Sequence, residues 1–315
     1  MYRNSDIRPR VCSHEAEGIA LHTSENTADT LYRQLYAEGS LLLQEVLESE
    51  REAQLDARLL LEHVCGTGLH TLLLDGDRSV DAEKAAQYRK LILRRYNREP
   101  LAYITGQRDF MGLTLEVSRD VLIPEQDSEN LVEEVMKEIN GGDRILDLCT
   151  GSGCILLSLL HYSNGTVGIG TDLSEKALAV AALNAEKLNL SERVTLRCGD
   201  LFDALEPDER FDIIVSNPPY IRTDVISGLA PEVKDHEPLI ALDGGEDGLD
   251  FYRRIIPEAS VHLVTGGLLF LEIGYDQADE VASLMKEAGY YDVTVIKDYG
   301  GNDRIVRGIK SIHQN

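Results

Sequence analysis

The 315-residue sequence lacks any apolar run long enough to cross a bilayer. Stretches such as Ile155–Leu160 fall far short of the roughly 20 apolar residues that a membrane helix needs. The N-terminus also lacks a basic segment followed by an apolar one, which is the pattern of a secretory signal. We therefore expect a cytoplasmic protein, and the length is comfortable for two domains.

Paired cysteines and clustered histidines are missing as well. The five cysteines form no CxxC pair, and the eight histidines show no metal-ligand spacing such as HxxxH. These absences argue against a disulfide framework and against a structural zinc ion. We therefore expect no metal in the functional site.

Positive charge is the third shortage, because the net charge is −24. Residues 1–100 carry 13 Lys and Arg against 17 Asp and Glu, whereas the remaining residues carry 18 against 38. Proteins that bind nucleic acid gain affinity by replacing phosphate counterions with Lys and Arg. The acidic C-terminal part therefore disfavours a nucleic-acid substrate and favours a basic protein partner.

The N-terminal part of the chain has the pattern of a small helical domain. Residues 1–28 are polar and aperiodic, so we expect them to form a disordered tail. Apolar residues at helical spacing follow. Ser49 and Glu52 form a capping-box pattern that opens a helix, and Gly66 is placed to end it. Residues 29–99 are thus predicted to form an all-α domain.

The periodicity then changes from helical to alternating. Leu113, Leu115 and Val117 alternate with polar residues, which is typical of a strand. With Tyr103-Ile104 as its partner, this strand predicts a β-hairpin connector over residues 100–123.

From residue 124 to residue 315, strands and helices alternate, which predicts an α/β domain with a mostly parallel sheet and helices on both faces. Ser128 or Asp127 is expected to cap the first helix of this domain. Further helices are predicted at Cys154–His161, Ser174–Leu188 and Asp276–Ala288. Strands are predicted at Ile145–Leu148, Val167–Thr171, Val194–Arg197, Ile213–Ser216 and Leu268–Ile273, followed by an antiparallel pair, Asp292–Lys297 and Arg304–Gly308.

A glycine-containing loop follows the first strand of this domain. It reads Asp147-Leu148-Cys149-Thr150-Gly151-Ser152-Gly153, and its glycines let the backbone approach a ligand closely. About 20 residues further on, Asp172 ends the second strand, where a carboxylate can accept hydrogen bonds from ribose hydroxyls. The third glycine of the dinucleotide fingerprint is replaced by Leu156, which disfavours a NAD(P) dehydrogenase.

These features favour S-adenosylmethionine as the cofactor, with Asp147 near its cationic methionine end. Gly199-Asp200-Leu201, after the third strand, is expected to line the adenine. Asp200 is placed to accept a hydrogen bond from the exocyclic amine of adenine. An ordinary turn or helix-cap role for Asp200 remains the alternative.

A buried strand ends in the tetrapeptide Asn217-Pro218-Pro219-Tyr220, at the sheet edge where doubly wound folds bind ligands. A planar –NH2 group is a poor nucleophile because its lone pair is delocalised. The Asn217 side-chain carbonyl and the Pro218 backbone carbonyl can accept hydrogen bonds from the two N–H groups of such a planar –NH2 group. Tyr220 can pack on the face of the planar group. Positioning of this kind needs no strong base. A proline-stiffened turn is the alternative interpretation.

The sequence resembles the HemK/PrmC family of protein-(glutamine N5) methyltransferases, which modify a glutamine in class 1 peptide chain release factors. The resemblance covers about Thr30 to Gly308. It is carried by Arg98–Gly106, Phe110–Gly112, Val121–Pro124, Ile145–Ile155, Ser216–Ile221, Glu237-Pro238, Gly244–Leu249 and Asp303–Val306.

The resemblance implies a class I methyltransferase domain with a seven-stranded sheet and an antiparallel C-terminal hairpin, preceded by a helical domain that recognises the protein substrate. It implies cofactor contacts at Cys149–Gly153, Asp172, Leu201 and Asn217, and a glutamine held by Asn217–Tyr220. It also places Phe110 over the junction of cofactor and substrate.

Two residues depart from the family pattern. Glu125 stands where the family has an arginine, and it adds a negative charge beside Asp127, Glu129, Glu133 and Glu134. Cys149 replaces a frequent glycine, and we interpret it as structural and not nucleophilic.

Three alternatives to release-factor methylation stay open from the sequence alone. One is methylation of a glutamine in another protein, such as a ribosomal protein. The second is an N6-adenine or N2-guanine nucleic-acid methyltransferase, against which the charge distribution argues. The third is a cofactor-binding protein that has lost catalysis, which the intact tetrapeptide disfavours.

Overall fold

The computed structural model describes residues 30–311, so the predicted tail at residues 1–28 lies outside the described residues. The N-terminal part of the described chain consists of four helices and a two-residue antiparallel β pair. These elements are β1 (Thr30–Leu31), α1 (Tyr32–Leu43), α2 (Glu50–Cys65), α3 (Leu69–Leu74), β2 (Ser79–Val80) and α4 (Ala82–Tyr96).

The boundaries of α2 follow from its capping residues. The Ser49 hydroxyl accepts a hydrogen bond from the backbone N–H of Glu52 at 3.1 Å. Gly66 ends the helix in the left-handed conformation, with φ of 67°, which glycine adopts without steric cost. Tyr32, Leu60 and Tyr88 are fully buried where α1, α2 and α4 pack together.

A hairpin connects the two parts of the chain, as the sequence predicted, but its first strand differs from the prediction. Tyr103 and Ile104 lie in a short helix, α5 (Leu101–Thr105), that starts after Pro100 and ends at Gly106, where φ is 77°. The hairpin strands are β3 (Gln107–Phe110) and β4 (Leu113–Glu116). Proline and glycine therefore delimit one helical turn that an alternating pattern could not reveal.

The C-terminal part alternates strands and helices. In chain order its elements are α6 (Asp127–Met136), β5 (Arg144–Leu148), α7 (Cys154–Tyr162), β6 (Val167–Asp172), α8 (Glu175–Lys187), β7 (Val194–Cys198), β8 (Phe211–Ser216), α9 (Thr223–Ile226), α10 (Pro231–Lys234), α11 (Asp250–His262), β9 (Leu263–Glu272), α12 (Ala278–Glu287), β10 (Tyr290–Lys297) and β11 (Asp303–Lys310).

Seven strands of the described chain form one sheet in the order β10-β11-β9-β8-β5-β6-β7. The pairs from β9 to β7 are parallel, whereas β11 pairs antiparallel with both β9 and β10. Two apolar clusters cover the sheet, one centred on Tyr252 and Ile255 and the other on Leu131 and Leu156. The predicted α/β class, with an antiparallel pair at its end, is confirmed.

Three details differ from the sequence prediction. Helix α11 was not predicted, and Pro257 lies within it. Strand β9 begins at Leu263, so Gly266 lies inside the strand at a bulge opposite Phe211 and Ile213. Helix α6 begins at Asp127 after Gln126, so Ser128 lies in its first turn and is not its cap.

None of the helices in the described part of the chain is long and apolar enough to cross a membrane.

Candidate active site

A cavity opens at the carboxyl ends of the central strands. Strand β5 lies between β6 and β8, so the chain reverses its direction across the sheet at this point. Such a switch point is where open α/β sheets bind ligands. The cavity is lined by residues 120–122, Cys149, Gly151, 171–174, Ala177, 199–201, Asn217, Pro219, Pro238, Ile240, Ala241 and Phe251.

The loop after β5 is held in a curved conformation beside this cavity. Cys149, Gly151 and Gly153 all have positive φ values, of 59°, 55° and 80°. The Gly151 N–H donates to Oδ2 of Asp172 at 2.9 Å, and the Ser174 N–H donates to Oδ1 at 2.9 Å. Burial raises the pKa of the Asp172 carboxyl. Asp172 therefore ties the loop to the end of β6 and presents its carboxylate at the cavity.

Asp147, at the start of the loop, lies outside the cavity lining. Its side chain is fully buried, and the Thr150 hydroxyl donates to its Oδ2 at 2.6 Å. Burial raises the pKa of Asp147 to about 7. Thr150, Ser152 and Gly153 are also outside the lining. Of the loop residues predicted to contact the cofactor, Cys149 and Gly151 therefore line the cavity and these four do not.

Asp200 and Leu201 both line the cavity at the end of β7. Leu201 has a positive φ of 53°, and Asp200 makes no side-chain cap bond to the turn that follows. The Asp200 carboxylate instead pairs with Arg254 at 2.8 Å. The Asp200 carboxylate can therefore still accept a hydrogen bond at the cavity wall, although Arg254 neutralises part of its charge.

The tetrapeptide Asn217–Tyr220 begins where β8 ends. The Ser216 hydroxyl donates to the Leu148 carbonyl at 2.7 Å, which joins β8 to the start of the glycine loop. Pro218 and Pro219 are both buried, and Asn217 and Pro219 line the cavity whereas Pro218 does not. The Asn217 side-chain N–H donates to Ser128 Oγ at 3.2 Å, so its amide oxygen points away from Ser128.

Tyr220 lies on the far side of the tetrapeptide and borders a second cleft, together with Arg304 and Gln277. The Gln277 side chain donates to the Tyr220 carbonyl at 3.0 Å. A Cβ atom on Gly244 would come within 2.9 Å of the tetrapeptide backbone, so glycine is required there for close approach. Burial raises the pKa of Tyr220, so its hydroxyl stays protonated.

Known proteins resemble this chain over most of its length. Residues 34–106 match the family described as PrmC N-terminal domain, and residues 139–255 match a methyltransferase domain. The chain is 41% identical over 258 residues to the release factor glutamine methyltransferase of Clostridium acetobutylicum, covering 81% of this chain and 90% of that protein. The enzyme of the same name from Caulobacter vibrioides is 43% identical over 262 residues, covering 82% and 90%.

The chain belongs to the release factor glutamine methyltransferase family. The resemblance drawn from the sequence motifs is thereby confirmed. A methyltransferase from Pyrococcus furiosus has a similar fold, with a TM-score of 0.50 and 22% identity, covering 72% of this chain and all of that one.

Phe110 occupies a different place from the one that the family resemblance implied. It is 1% exposed and packs in the apolar cluster with Leu131 and Ile155, and it does not line the cavity. The next residue, Met111, donates its N–H to the Glu129 carboxylate at 2.6 Å. Phe110 therefore anchors the hairpin to α6 in this structure.

The apolar wall of the cavity was not predicted. It comes from Val121 and Leu122 of the connector and from Pro238, Ile240 and Phe251. The motifs Val121–Pro124 and Glu237-Pro238 were visible in the sequence, but nothing in their spacing indicated that they meet. This wall gives the cavity the apolar surface on which an adenine ring can pack.

Glu125 has a basic neighbour in addition to the acidic ones that the sequence places beside it. Its carboxylate lies 3.7 Å from the Arg108 guanidinium, and the neighbouring Asp127 pairs with Arg304 at 2.9 Å. Burial nevertheless raises the pKa of Glu125, and Asp127 raises it further as a neighbouring like charge, so the mild repulsion expected at this position stays a prediction.

No group of three or more potential metal ligands occurs among residues 30–311. Burial raises the pKa of the Cys149 thiol and raises that of Cys154 to about 12. Both thiols therefore stay protonated at neutral pH, which makes them poor nucleophiles.

Proposed function

We propose that this chain transfers a methyl group from S-adenosylmethionine to the side-chain amide nitrogen of a glutamine in class 1 peptide chain release factors, leaving S-adenosylhomocysteine. The observation that carries the proposal is the position of the tetrapeptide at the end of β8, where Asn217 and Pro219 line the cavity that Asp172 also borders. The identity to enzymes named for this activity supports the same substrate.

The chemistry of the cavity fits S-adenosylmethionine. Each carboxylate oxygen of Asp172 accepts one hydrogen bond from a backbone N–H. Each oxygen therefore keeps a lone pair that can accept a hydrogen bond from a ribose hydroxyl. Asp200 and Leu201 stand at the neighbouring strand end, beside the apolar wall, where an adenine would lie. When bound, the cofactor supplies an electrophilic methyl group on its sulfonium.

The tetrapeptide acts on the accepting nitrogen. In the reaction an N–C bond forms as the C–S bond breaks, and one proton of the amide is released to solvent. The Asn217 amide oxygen and the Pro218 carbonyl accept hydrogen bonds from the two N–H groups of the substrate amide. These two hydrogen bonds hold the lone pair of the amide nitrogen out of conjugation with its carbonyl. Tyr220 packs against the planar group. The increase in reaction rate comes from the orientation of the substrate nitrogen and from the exclusion of water, and the reaction requires no ionised base.

The parts of the chain take separate roles in this proposal. Residues 29–99 recognise the protein substrate, residues 100–123 connect, and residues 124–315 carry the methyl transfer. The acidity of the C-terminal part suits a basic protein surface and opposes phosphate backbones. The substrate in this proposal is therefore a protein, and methyl transfer requires no direct contact with nucleic acid.

Release factors isolated from cells with and without this gene provide the test. We expect the peptide that contains the methylated glutamine to lose one methyl mass when the gene is deleted. Complementation with an Asn217→Ala variant should leave it unmethylated. If the peptide keeps its methyl group in the deletion strain, another enzyme modifies it and this assignment fails.

A further inference from the structure

A second cleft adjoins the tetrapeptide at Tyr220. Asn217 and Pro219 line the cofactor cavity, whereas Tyr220 lines the cleft and not the cavity. The tetrapeptide therefore contributes to the walls of both concave surfaces. The cofactor site and the hydrogen bonds to the accepting amide involve none of the other residues of the cleft.

The cleft presents apolar and aromatic surface to solvent. Val225 and Tyr275 line it, although Val225 is 40% exposed and Tyr275 is 69% exposed. Ile221 and Leu229 add further apolar surface to the same wall. Exposed apolar side chains that gather in a concave surface are typical of a site where another molecule binds.

Five Asp, Glu and Arg side chains also line the cleft, and three of them are compensated. These three form salt bridges with oppositely charged residues outside the cleft: Asp247 with Arg253, Arg222 with Asp224, and Arg304 with Asp127 and Asp298. The other two, Asp276 and Glu280, have no basic partner within the described part of the chain. The cleft therefore carries two uncompensated negative charges.

The two carboxylates lie where α12 begins. Asp276 precedes the helix, and Glu280 lies in its first turn, where a negative charge stabilises the helix through its dipole. Asp279 lies in the same turn and supplies the same stabilisation, but it does not line the cleft. Stabilisation of α12 therefore does not explain why two further carboxylates border the cleft.

This combination of groups suits a cationic side chain of a polypeptide. The head of a lysine or arginine donates charge-assisted hydrogen bonds to carboxylates, and it is attracted to the face of a ring such as that of Tyr275. Its alkyl stem can pack on an apolar residue such as Val225. The phosphates of a nucleic acid would instead meet two negative charges.

We propose that the cleft receives the segment of the protein substrate that carries the acceptor glutamine, and that Asp276 and Glu280 pair with lysine or arginine side chains of that segment. The inference rests on the proposed function, because it concerns how the same substrate reaches the tetrapeptide. The polypeptide approaches Asn217–Tyr220 from the cleft while the cofactor lies in the cavity that Asp172 borders. The ion pairs contribute to substrate affinity and leave the methyl transfer itself unchanged.

Steady-state kinetics of full-length variants on an unmethylated release factor provide the first test. The double variant Asp276→Asn/Glu280→Gln removes both charges with little change in size. KM for the release factor should rise about fivefold or more, since each exposed ion pair contributes up to about 1 kcal/mol. The value of kcat and the affinity for S-adenosylmethionine should stay within about twofold of the parent, because neither carboxylate takes part in the methyl transfer.

Asp279→Asn is the matched control for the double variant. Asp279 is exposed, acidic and in the same helical turn as Glu280, but it lies outside the cleft. Its replacement should leave KM for the release factor unchanged. The proposal is overturned if the double variant keeps KM within about twofold of the parent, or if Asp279→Asn raises KM by the same factor.

Glu280→Lys tests the sign of the charge at the cleft. A lysine there repels a cationic side chain of the substrate, so KM for the release factor should rise at least as much as in the double variant. The difference in KM between the parent and Glu280→Lys should shrink at high salt, because ions screen exposed charges. A lower KM in Glu280→Lys than in the parent would show that the cleft binds an acidic segment and would overturn the proposal.

Binding without turnover separates this inference from the proposed function. Calorimetry with the unmethylated release factor, in the presence of S-adenosylhomocysteine, gives the dissociation constants of the parent, the double variant and Asp279→Asn. If the parent methylates nothing but binds the release factor more tightly than the double variant does, the function fails and the contact in the cleft stands. If the parent is active and the double variant binds equally tightly, the inference fails alone.

Discussion

Asp172 carries two tasks at once, since it ties down the Gly151 loop and offers lone pairs to the cavity. Asp172→Ala should weaken S-adenosylmethionine binding by about 1.5–3 kcal/mol, the usual contribution of a hydrogen bond to a charged group. Isothermal titration calorimetry measures the loss. Asp143→Ala is the control, because Asp143 also accepts a backbone N–H, from Asn140, but lies outside the cavity lining. Unchanged affinity in Asp172→Ala would remove Asp172 from the cofactor site.

Asn217 should matter for chemistry and little for cofactor binding. Asn217→Ala removes the side-chain acceptor, so the substrate nitrogen relaxes back into conjugation and turnover falls by more than about tenfold, or 1.4 kcal/mol. Cofactor affinity should stay within a few-fold. Single-turnover methylation and calorimetry measure the two quantities, and Asn97→Ala, which loses only a bond to Leu93, serves as control. Turnover that survives in Asn217→Ala would contradict the orienting role.

The sequence could identify Asn217 and Asp172 because each follows a strand in a recognisable local motif. It could not identify Ser128 as the partner of Asn217, because 89 residues separate them and the contact exists only after α6 packs against β9, the strand beside β8. The same limit applies to Phe110, whose local motif does not reveal the apolar cluster that surrounds it.

Among the elements, α10 links the helical domain to the site. Its Glu232 carboxylate accepts from Arg95 at 2.9 Å and from Arg98 at 2.7 Å. Arg95 is 5% exposed and also pairs with Asp56 at 2.6 Å. The segment that carries α10 connects the tetrapeptide to the apolar wall of the cavity. The N-terminal helices therefore hold one side of the site in place.

Glu232→Ala should break this link and leave Arg95 only partly compensated. We expect the free energy of unfolding to fall by about 1.5–3 kcal/mol, and kcat/KM on the protein substrate to fall with it. Denaturant titration and initial rates measure both. Glu246→Ala, on the exposed loop after the tetrapeptide, is the control. A stable variant with normal kcat/KM would show that this contact does not support the site.

Glu99 joins the end of α4 to the connector through Arg94 and Arg119, each at 2.7 Å. These hydrogen bonds lower the pKa of Glu99 to about 2. Because the folded pKa is below the ordinary value, the contribution to stability is full above about pH 4.5 and is lost as the pH falls toward 2. It amounts to on the order of 1–2 kcal/mol, since both arginines are partly exposed and screened.

Glu99→Gln should therefore lower stability at neutral pH and flatten the decline of stability between pH 4.5 and 2. Denaturant titrations across this range measure the effect. An unchanged slope against pH in the variant would mean that other carboxylates govern acid unfolding.

Element prediction succeeded where strands and helices are long and periodic, as for β5, α8 and the final antiparallel pair. It failed at α11, where Pro257 interrupts the helical pattern although the backbone continues. It also failed at α9 and α10, because four residues are too few to show a period. These short elements nevertheless bring the apolar wall to the cavity.

At the scale of the whole molecule, the charge is concentrated in the catalytic part, with 18 basic against 38 acidic residues beyond residue 100. Such a field should steer a basic protein surface toward the site. We expect kcat/KM on a release factor to fall as ionic strength rises, while kcat stays nearly constant, because salt screens the encounter and not the chemistry. Oligonucleotides should not compete. A rate that rises with salt, or inhibition by oligonucleotide, would contradict a protein substrate.

Methylation of a glutamine amide in a release factor is the reaction that we propose for the cavity and the tetrapeptide. The most direct measurement is tandem mass spectrometry of a purified, unmethylated release factor incubated with this protein and S-adenosylmethionine. We predict one added methyl group, located on the side-chain nitrogen of a single glutamine, and none in the reaction with Asn217→Ala. A release factor that gains no methyl group from a protein that binds the cofactor, or gains it on another residue type, would contradict glutamine methylation by this protein.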